Sequence, residues 1–547
     1  MPIEGLTKRQ ASVVAEPTAE KQKLNPLVQT FLSSLRKKQS IVQKADGPLI
    51  HVSSVISGAA VFYEKLRYSL DYREEHLLRR HAIERTIRRR LEENSNFGEF
   101  ARPFLVELVQ AQYLKNDAVP ESIVLKVQNI LDRYEVLLEL SAKESSDNKK
   151  PLKNWLLGLV SAELDDELAP SPEYEALVNF MVSRVIKDDP LVGWSLGSED
   201  NVRLVFIACY RALFAFDPQT LHFFILRKRF PEWSQCSAGE VSVWWPALCQ
   251  ERALIDRALR HQASAKLYRS LKSRAIVFHA LKDIAIKIAN EFDDIFLNKK
   301  RLAAELEEVC SQYYRGSRRR LYRSAVRSTI YIFLTKILLA LLAEAPAEQF
   351  IFGVVATTPL IINTAFPPAL MFLLTVTTRF PGKLNTQRVG QFLTAILYGE
   401  EKRLFPQVKK PASSSLFSIG LFSFFYLLTF TLTFGGIIWA LSKINFTFIG
   451  IAFFLLFLTI VSFFAIRIRQ PVQDLFISDR RENILLVLIN FFSLPILRVG
   501  QFISLTSARL NVFLYLFDYL LEAPFKSFLR LAEDVLGFFR EQREDIV

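Results

Sequence analysis

Two groups of residues have types and spacing that invite chemistry. Gly193-Trp194-Ser195-Leu196-Gly197 fits G-x-S-x-G, the pattern in which a strained turn between a strand and a helix lifts a serine hydroxyl out as a nucleophile for acyl transfer. His222, His261 and His279 follow it and would have to supply the general base. A strand must lead into such a turn, yet the preceding residues are VIKDDPLV, interrupted by Pro190, and no parallel-sheet pattern occurs elsewhere. We therefore read the segment as a loop between helices and keep a membrane-associated serine hydrolase as the third choice of function. His222, Cys236, Cys249 and His261 have the atoms of a zinc site but lack the short ligand pairs that mark one. The sequence thus assigns no catalytic residue, no metal ligand and no cofactor.

Polar residues inside apolar stretches are the better candidates. Lys336 lies in the middle of a short stretch, where a charge costs at least about 2.5 kcal/mol unless it snorkels or is paired. No acidic residue falls within the expected spans, so Lys336 is expected to snorkel, or to approach carbonyls freed by prolines of the next stretch. That stretch contains ATTPLIINTAFPP at 356–368, with Thr357, Thr358, Asn363 and Thr364 beside three prolines. Proline removes helical hydrogen bonds, so a kink or break is expected there, with polar groups or water satisfying the freed carbonyls. Broken helices line the sites of many transporters, which makes a small-solute transporter or channel the second choice. A packing kink is the plainer reading. Thr429, Thr431 and Thr433 with Gly435 and Gly436 suit close helix packing.

These residues need a bilayer around them, and the composition provides for one. The chain has 547 residues, 46 of them Phe, yet 23% are charged, a combination that one soluble domain rarely carries. The two properties are segregated along the chain. Four apolar stretches, at about 329–343, 350–377, 414–441 and 444–466, read as membrane spans in a transmembrane region of 315–482, the first being shorter than a full crossing. Arg315, Arg318, Arg319, Arg320, Arg323 and Arg327 precede the first stretch, and basic residues also fill the connection between the second and third and follow the fourth. The first hairpin turn carries only Glu344 and Glu348, the second only Lys443. The positive-inside rule then gives two helical hairpins with both termini cytoplasmic, in a bacterial-type plasma (inner) membrane. The formal charge is +13, and residues 316–547 hold 24 basic against 14 acidic side chains, a bias that suits anionic lipid contacts rather than nucleic acid. Residues 483–547 read as amphipathic, interfacial helices, although 483–506 would also admit a fifth span. Residues 389–398 are expected along the membrane surface.

The first half reads as all-α, with apolar residues at three and four spacing and no sustained alternation. Residues 1–24 form a disordered leader lacking the apolar core of a signal peptide. The polar run KESSDNKKP at 143–151 would divide helical subdomains at 25–142 and 152–314. Ser171-Pro172 and Asp217-Pro218 mark helix starts, and residues 120–142 form an amphipathic helix. From 246 to 314 few breakers occur, so a long helix would run into the bilayer, with its weakest point near 270–273. The four cysteines have no C-x-x-C pair and read as reduced thiols. The basic stretch 71–94 would satisfy much of its charge internally through Glu75–Arg79, Glu84–Arg88 and Arg89–Glu93, burying Tyr72, His76, Ile83, Ile87 and Leu91. The first choice of function is a membrane-anchored scaffold with protein partners on the cytoplasmic side.

Overall fold

The computed structural model describes residues 24–39, 48–52, 75–93, 97–144, 146–194, 197–287, 296, 298–353, 357–399, 403–410, 416–477 and 484–509. The expected leader up to residue 23, Tyr72, the side chain of His76, Ser195 and the tail beyond 509 lie outside them. The fold is all-α: no strand occurs among the described residues, and the one β-type pairing is the isolated bridge of Leu49 with Pro120.

The N-terminal helical head has two cores. After α1 (Pro26–Gln39), the helices α2 (Glu75–Glu93), α3 (Ala101–Gln110), α4 (Ile123–Ala142) and α5 (Ser146–Leu168) gather around Ile83, Ile87, Phe104, Leu131, Leu157 and Trp233. Then α6 (Pro172–Asp188), α7 (Ser198–Phe214), α8 (Pro218–Arg229), α9 (Val241–Arg260), α10 (Gln262–Lys272) and α11 (Ala275–Lys287) form the second core with α1. Helix α8 joins the two, with Phe223 and Leu226 on one side and Leu221 and Ile225 on the other. Asp217 caps α8 by accepting from Thr220 N at 2.8 Å, whereas the Ser171 side chain makes no capping bond.

Three expectations change here. The run 143–151 is no linker between subdomains: α5 begins at Ser146 and carries Pro151 inside it, and α4 and α5 share one core. Burial of Leu152 and Trp155 outweighs the polar composition around them. Three of the six arginines of α2 are matched across helices, Arg79 on Asp165 (2.5 Å), Arg89 on Glu107 (2.6 Å) and the buried Arg80 on Asp217, while the side chains of Glu75 and Glu93 lie outside the described residues. Glu84–Arg88 (3.1 Å) does follow the helix. Finally, the helix expected over 246–314 is interrupted at His261 and again at 273–274.

Coupling to the bilayer survives these breaks. Helix α12 (Lys299–Leu339) runs for 41 residues from the second core into the membrane bundle. A π-helical turn (Ala340–Glu344) and α13 (Ala345–Phe352) continue it, followed by α14 (Thr357–Val376), α15 (Lys383–Tyr398), α16 (Leu416–Lys443), α17 (Phe448–Gln473) and α18 (Ile484–Arg509). Among the described residues, four helical stretches are long and apolar enough to cross a membrane: the run 299–352, α14, α16 and α17. The first exceeds its expected length because Glu344 and Glu348 do not end it. Helices α12, α14 and α17 pack on one another, and α18 packs against α16 and α17. Gly500 of α18 lies so close to the Thr459 backbone that a Cβ would come within 2.1 Å of its carbonyl oxygen.

The apolar face of helix α15, expected to meet the membrane surface, is turned into protein instead. Val389, Leu393 and Leu397 are fully buried in the second core, where their apolar face meets α11 and α12. The chain beyond it is held by backbone bonds: Asp188 Oδ2 accepts from Leu404 N (2.6 Å) and Phe405 N (3.0 Å), and Val408 N donates to the Pro190 carbonyl (2.7 Å). Asn385 Nδ2 donates to Tyr314 Oη (2.9 Å) and the Leu475 carbonyl (2.8 Å), while its Oδ1 accepts from Ile477 N (3.0 Å). One side chain thus ties the chain ahead of the first span to the chain after the second and the chain after the fourth. Those span ends share one face of the bundle, the face on which the head sits.

Asp188 also pairs with Arg184 at 3.2 Å and is buried. Removing a carboxylate that satisfies a buried guanidinium and two backbone donors costs about 3 kcal/mol. Asp188→Ala should therefore lower the melting temperature of the detergent-purified full chain and speed proteolysis between 399 and 415. An unchanged melting curve would show that this anchor does not hold the connection.

Candidate functional site

The buried stripe of α12 reads Leu321, Ala325, Ser328, Ile332 and Lys336, then continues through Ala340, Glu344 and Glu348. In an uninterrupted α-helix, eight residues carry the chain about 80° past the starting face. The π turn between Lys336 and Glu344 hydrogen-bonds i→i+5 and advances less per residue, which keeps both side chains on one stripe. Lys336 Nζ meets Glu344 Oε2 at 2.7 Å, with both residues at most 1% exposed. The rings of Phe457 and Phe453 lie 4.8 and 5.3 Å from the ammonium and complete its cage.

Asn363 of α14 reaches the same carboxylate, its Nδ2 donating to Glu344 Oε1 and, at 3.2 Å, to the Gly450 carbonyl of α17. One helical turn toward the end of the bundle away from the arginines, here the distal end, Thr447 Oγ1 donates to Glu348 Oε1. The same hydroxyl caps α17 by accepting from Gly450 N at 3.0 Å. Gly450 permits this approach, since a Cβ there would lie 3.2 Å from Thr447 Oγ1 and 3.5 Å from Glu348 Oε1. The bundle therefore holds a buried polar cluster drawn from three helices.

Of the polar residues expected in the membrane, the structure brings Lys336 and Asn363 together through Glu344. Thr357 and Thr358 are exposed at the start of α14, and Thr364 bonds to the Leu360 carbonyl of its own helix (2.8 Å). Lys336 neither snorkels nor turns to proline-freed carbonyls, because an acidic partner stands on its own helix. The break expected in α14 is also absent: Thr357–Val376 is one helix. Pro359 occupies the first turn, where its missing N–H has no intrahelical partner to lose, and Pro367 and Pro368 are buried within the helix. Glu344, Glu348, Thr447 and Gly450 escaped the sequence reading, which took the two glutamates for a hairpin turn. The spacing 332, 336, 340, 344 and 348 was the available signal.

The six arginines Arg315, Arg318, Arg319, Arg320, Arg323 and Arg327 are exposed on α12 at the head end of the bundle. The Arg318 guanidinium lies 5.3 Å from the Phe380 ring and 5.8 Å from that of Tyr322. Around 193–197, Gly193 has φ +77° and Gly197 precedes α7, with no strand leading in among the described residues. The three histidines serve separate local structures: His222 Nδ1 contacts the Pro218 carbonyl (2.6 Å), His279 Nε2 that of Leu213 (2.9 Å), and the His261 ring accepts from Ala263 N (3.2 Å). In the head, a polar cavity of ≈ 660 Å³ is lined by Arg133, Glu163, Asp166 and Arg227. Its charges are paired, Arg133 with Glu163 (2.5 Å) and Arg227 with Asp166, and burial pushes the Glu163 carboxyl above its ordinary range despite Arg133. No protein family, curated protein or solved structure matches this chain.

Leaving a buried carboxylate without its cation costs more than the pair contributes over a neutral replacement. Lys336→Met alone should destabilise the full chain by about 3 kcal/mol, read from thermal unfolding in detergent. Lys336→Met with Glu344→Gln should recover most of that loss. Equal melting temperatures for parent and single variant would mean that Lys336 and Glu344 are not energetically coupled.

Proposed function

We propose that this protein is a membrane-anchored scaffold, whose helical head is held at the cytoplasmic surface of a bacterial-type plasma membrane and binds protein partners there. The observation that carries the reading is the docking of residues 383–399 and 403–408, from the connection between the second and third spans, into the core of the head. A head joined through one linker would sample many poses. Here α12, α15 and the segment around Leu475–Ile477 converge on it, and its pose on the bundle is fixed. A fixed platform is what partner assembly requires, because ordering the platform then adds no entropic cost on binding.

The side assignment follows from the arginines. They lie at the head end of the bundle, and basic residues are retained on the cytoplasmic side, so head and termini are cytoplasmic. The exposure of the same six side chains supports contacts with anionic lipid headgroups. Nucleic acid is a poor fit for α2, since Arg79, Arg80 and Arg89 are engaged by Asp165, Asp217 and Glu107.

In-cell crosslinking followed by purification of the full-length protein should recover a stoichiometric partner attached to residues of the head. Recovery of crosslinks only within the chain itself would sink the scaffold reading. Reporter tags inserted ahead of Arg315 and beyond Ile466 should both report the cytoplasmic face, and opposite faces would overturn the orientation.

A further inference from the structure

The cavity of ≈ 660 Å³ in the head is bounded by α4, α5, α8 and the loop 234–238. Its walls are tied to one another. Arg133 of α4 donates from Nη2 to Glu163 of α5 (2.5 Å) and from Nη1 to the Trp233 carbonyl just ahead of the loop (2.9 Å), and Arg227 of α8 pairs with Asp166 of α5. A space of that size between fixed walls is in the range of small-molecule sites and far larger than a bare ion needs. The described residues also hold no group of three His, Cys, Asp or Glu side chains placed to bind a metal.

The lining is incomplete in two places. Seven charged side chains line the cavity, and six of them form pairs: the two arginine pairs and Lys126 with Glu167 at 3.2 Å. The seventh, Asp132, accepts from the neutral amide of Gln128 (2.7 Å), which also serves the Phe97 carbonyl, and has no cationic partner among the described residues. Arg133 has the opposite deficit: it is 3% exposed, and its Nε has no acceptor. Asn129 and Gln235 add neutral amides to the wall, and Ile130 and Phe223 add apolar surface. Burial raises the Glu163 and Asp166 carboxyls above their ordinary range even beside arginines, so charge is weakly screened between these walls. A carboxylate without a cation there attracts one more strongly than it would in bulk water.

We propose that this cavity binds a small organic cation, a primary amine whose body carries hydroxyl or carbonyl oxygens. The ammonium meets Asp132, and an oxygen of the body lies on the Arg133 guanidinium. Asn129 and Gln235 bond the remaining polar groups, and Phe223 takes the methylenes. Four carboxylates on the lining disfavour an anion, and a purely aliphatic amine leaves Arg133 unanswered. The cavity lies wholly within the head, and its occupancy does not depend on whether the head binds protein partners.

The test is thermal unfolding of detergent-purified full-length protein at fixed pH and ionic strength, with serinol or glucosamine as the amine and glycerol or glucose as its neutral counterpart. At least one amine should raise the melting temperature saturably while its counterpart does not. Asp132→Asn should raise the half-saturating concentration by about tenfold or more. Cys236 lines the cavity as a partly exposed thiol. Saturating amine should therefore slow its alkylation by N-ethylmaleimide, read by peptide mass spectrometry. Should Asp132→Asn fail to fold, the protection of Cys236 in the parent chain decides the matter. No shift with either amine, equal shifts with the neutral counterparts, an unchanged half-saturating concentration in Asp132→Asn, or a Cys236 alkylated at the same rate would each overturn the site.

Discussion

A lysine ammonium inside hydrocarbon must be neutralised where it stands, and the geometry of the bundle follows from that requirement. Glu344 is eight residues away on the same chain, too far round an α-helix to meet it, and the π turn at Ala340–Glu344 supplies the missing rotation. The turn also carries Glu348 onto the buried face, where α17 begins and Thr447 can serve both the carboxylate and the helix cap. Asn363 closes the cluster from α14 and bonds to α17 through Gly450. Three helices are therefore held in register by polar contacts that cannot be exchanged for water, while the surrounding apolar contacts, such as Phe366 on Phe454 at 4.6 Å, fix their spacing without fixing their register.

At the other end the bundle is held by a different kind of contact. The connection after the second span leaves the apolar region and enters the head, where its backbone N–H groups find Asp188 and its apolar face fills the gap between α11 and α12. Asn25 near the start of the chain accepts the same role, donating its backbone N–H to the Leu397 carbonyl at 2.8 Å. Residues separated by more than 350 positions thus meet in one core. A topology of this kind is completed only once both spans of the first hairpin have been made, because α15 follows them in the chain.

How much of this was legible depended on whether a pattern was local. The four spans, the all-α character and the helix starts at Pro172 and Pro218 are local signals, and they correspond to α12–α13, α14, α16, α17, α6 and α8. The pairing of Lys336 was hidden because a π turn violates the 3.6 period on which face arguments rest, and because Pro346 looks like a stop when it sits in the first turn of α13. The fate of α15 was hidden for another reason. VGQFLTAILY has the same stripe whether it faces lipid or a protein core, and only the position of α11 decides between them. Within α2, charge pairs at four spacing were legible, yet Asp165, Glu107 and Asp217 engage three of its six arginines from distant positions.

The two ends are not independent, because one helix belongs to both. Leu302 and Leu306 of α12 are buried in the head, and Lys336 is buried in the bundle on the continuation of the same stripe, some 30 residues or about 45 Å further along. An α-helix resists stretching and twisting over that distance far better than side-chain packing resists sliding. A displacement of Lys336 along or around the helix axis must therefore be absorbed by the π turn above it, or carried down to the contacts of Leu306 with Gly390 on α15. The π turn is the weaker of the two, since its hydrogen bonding is poorer and a return to α-helical pitch is available to it. It is there that the bundle can adjust to a change in charge without disturbing the head.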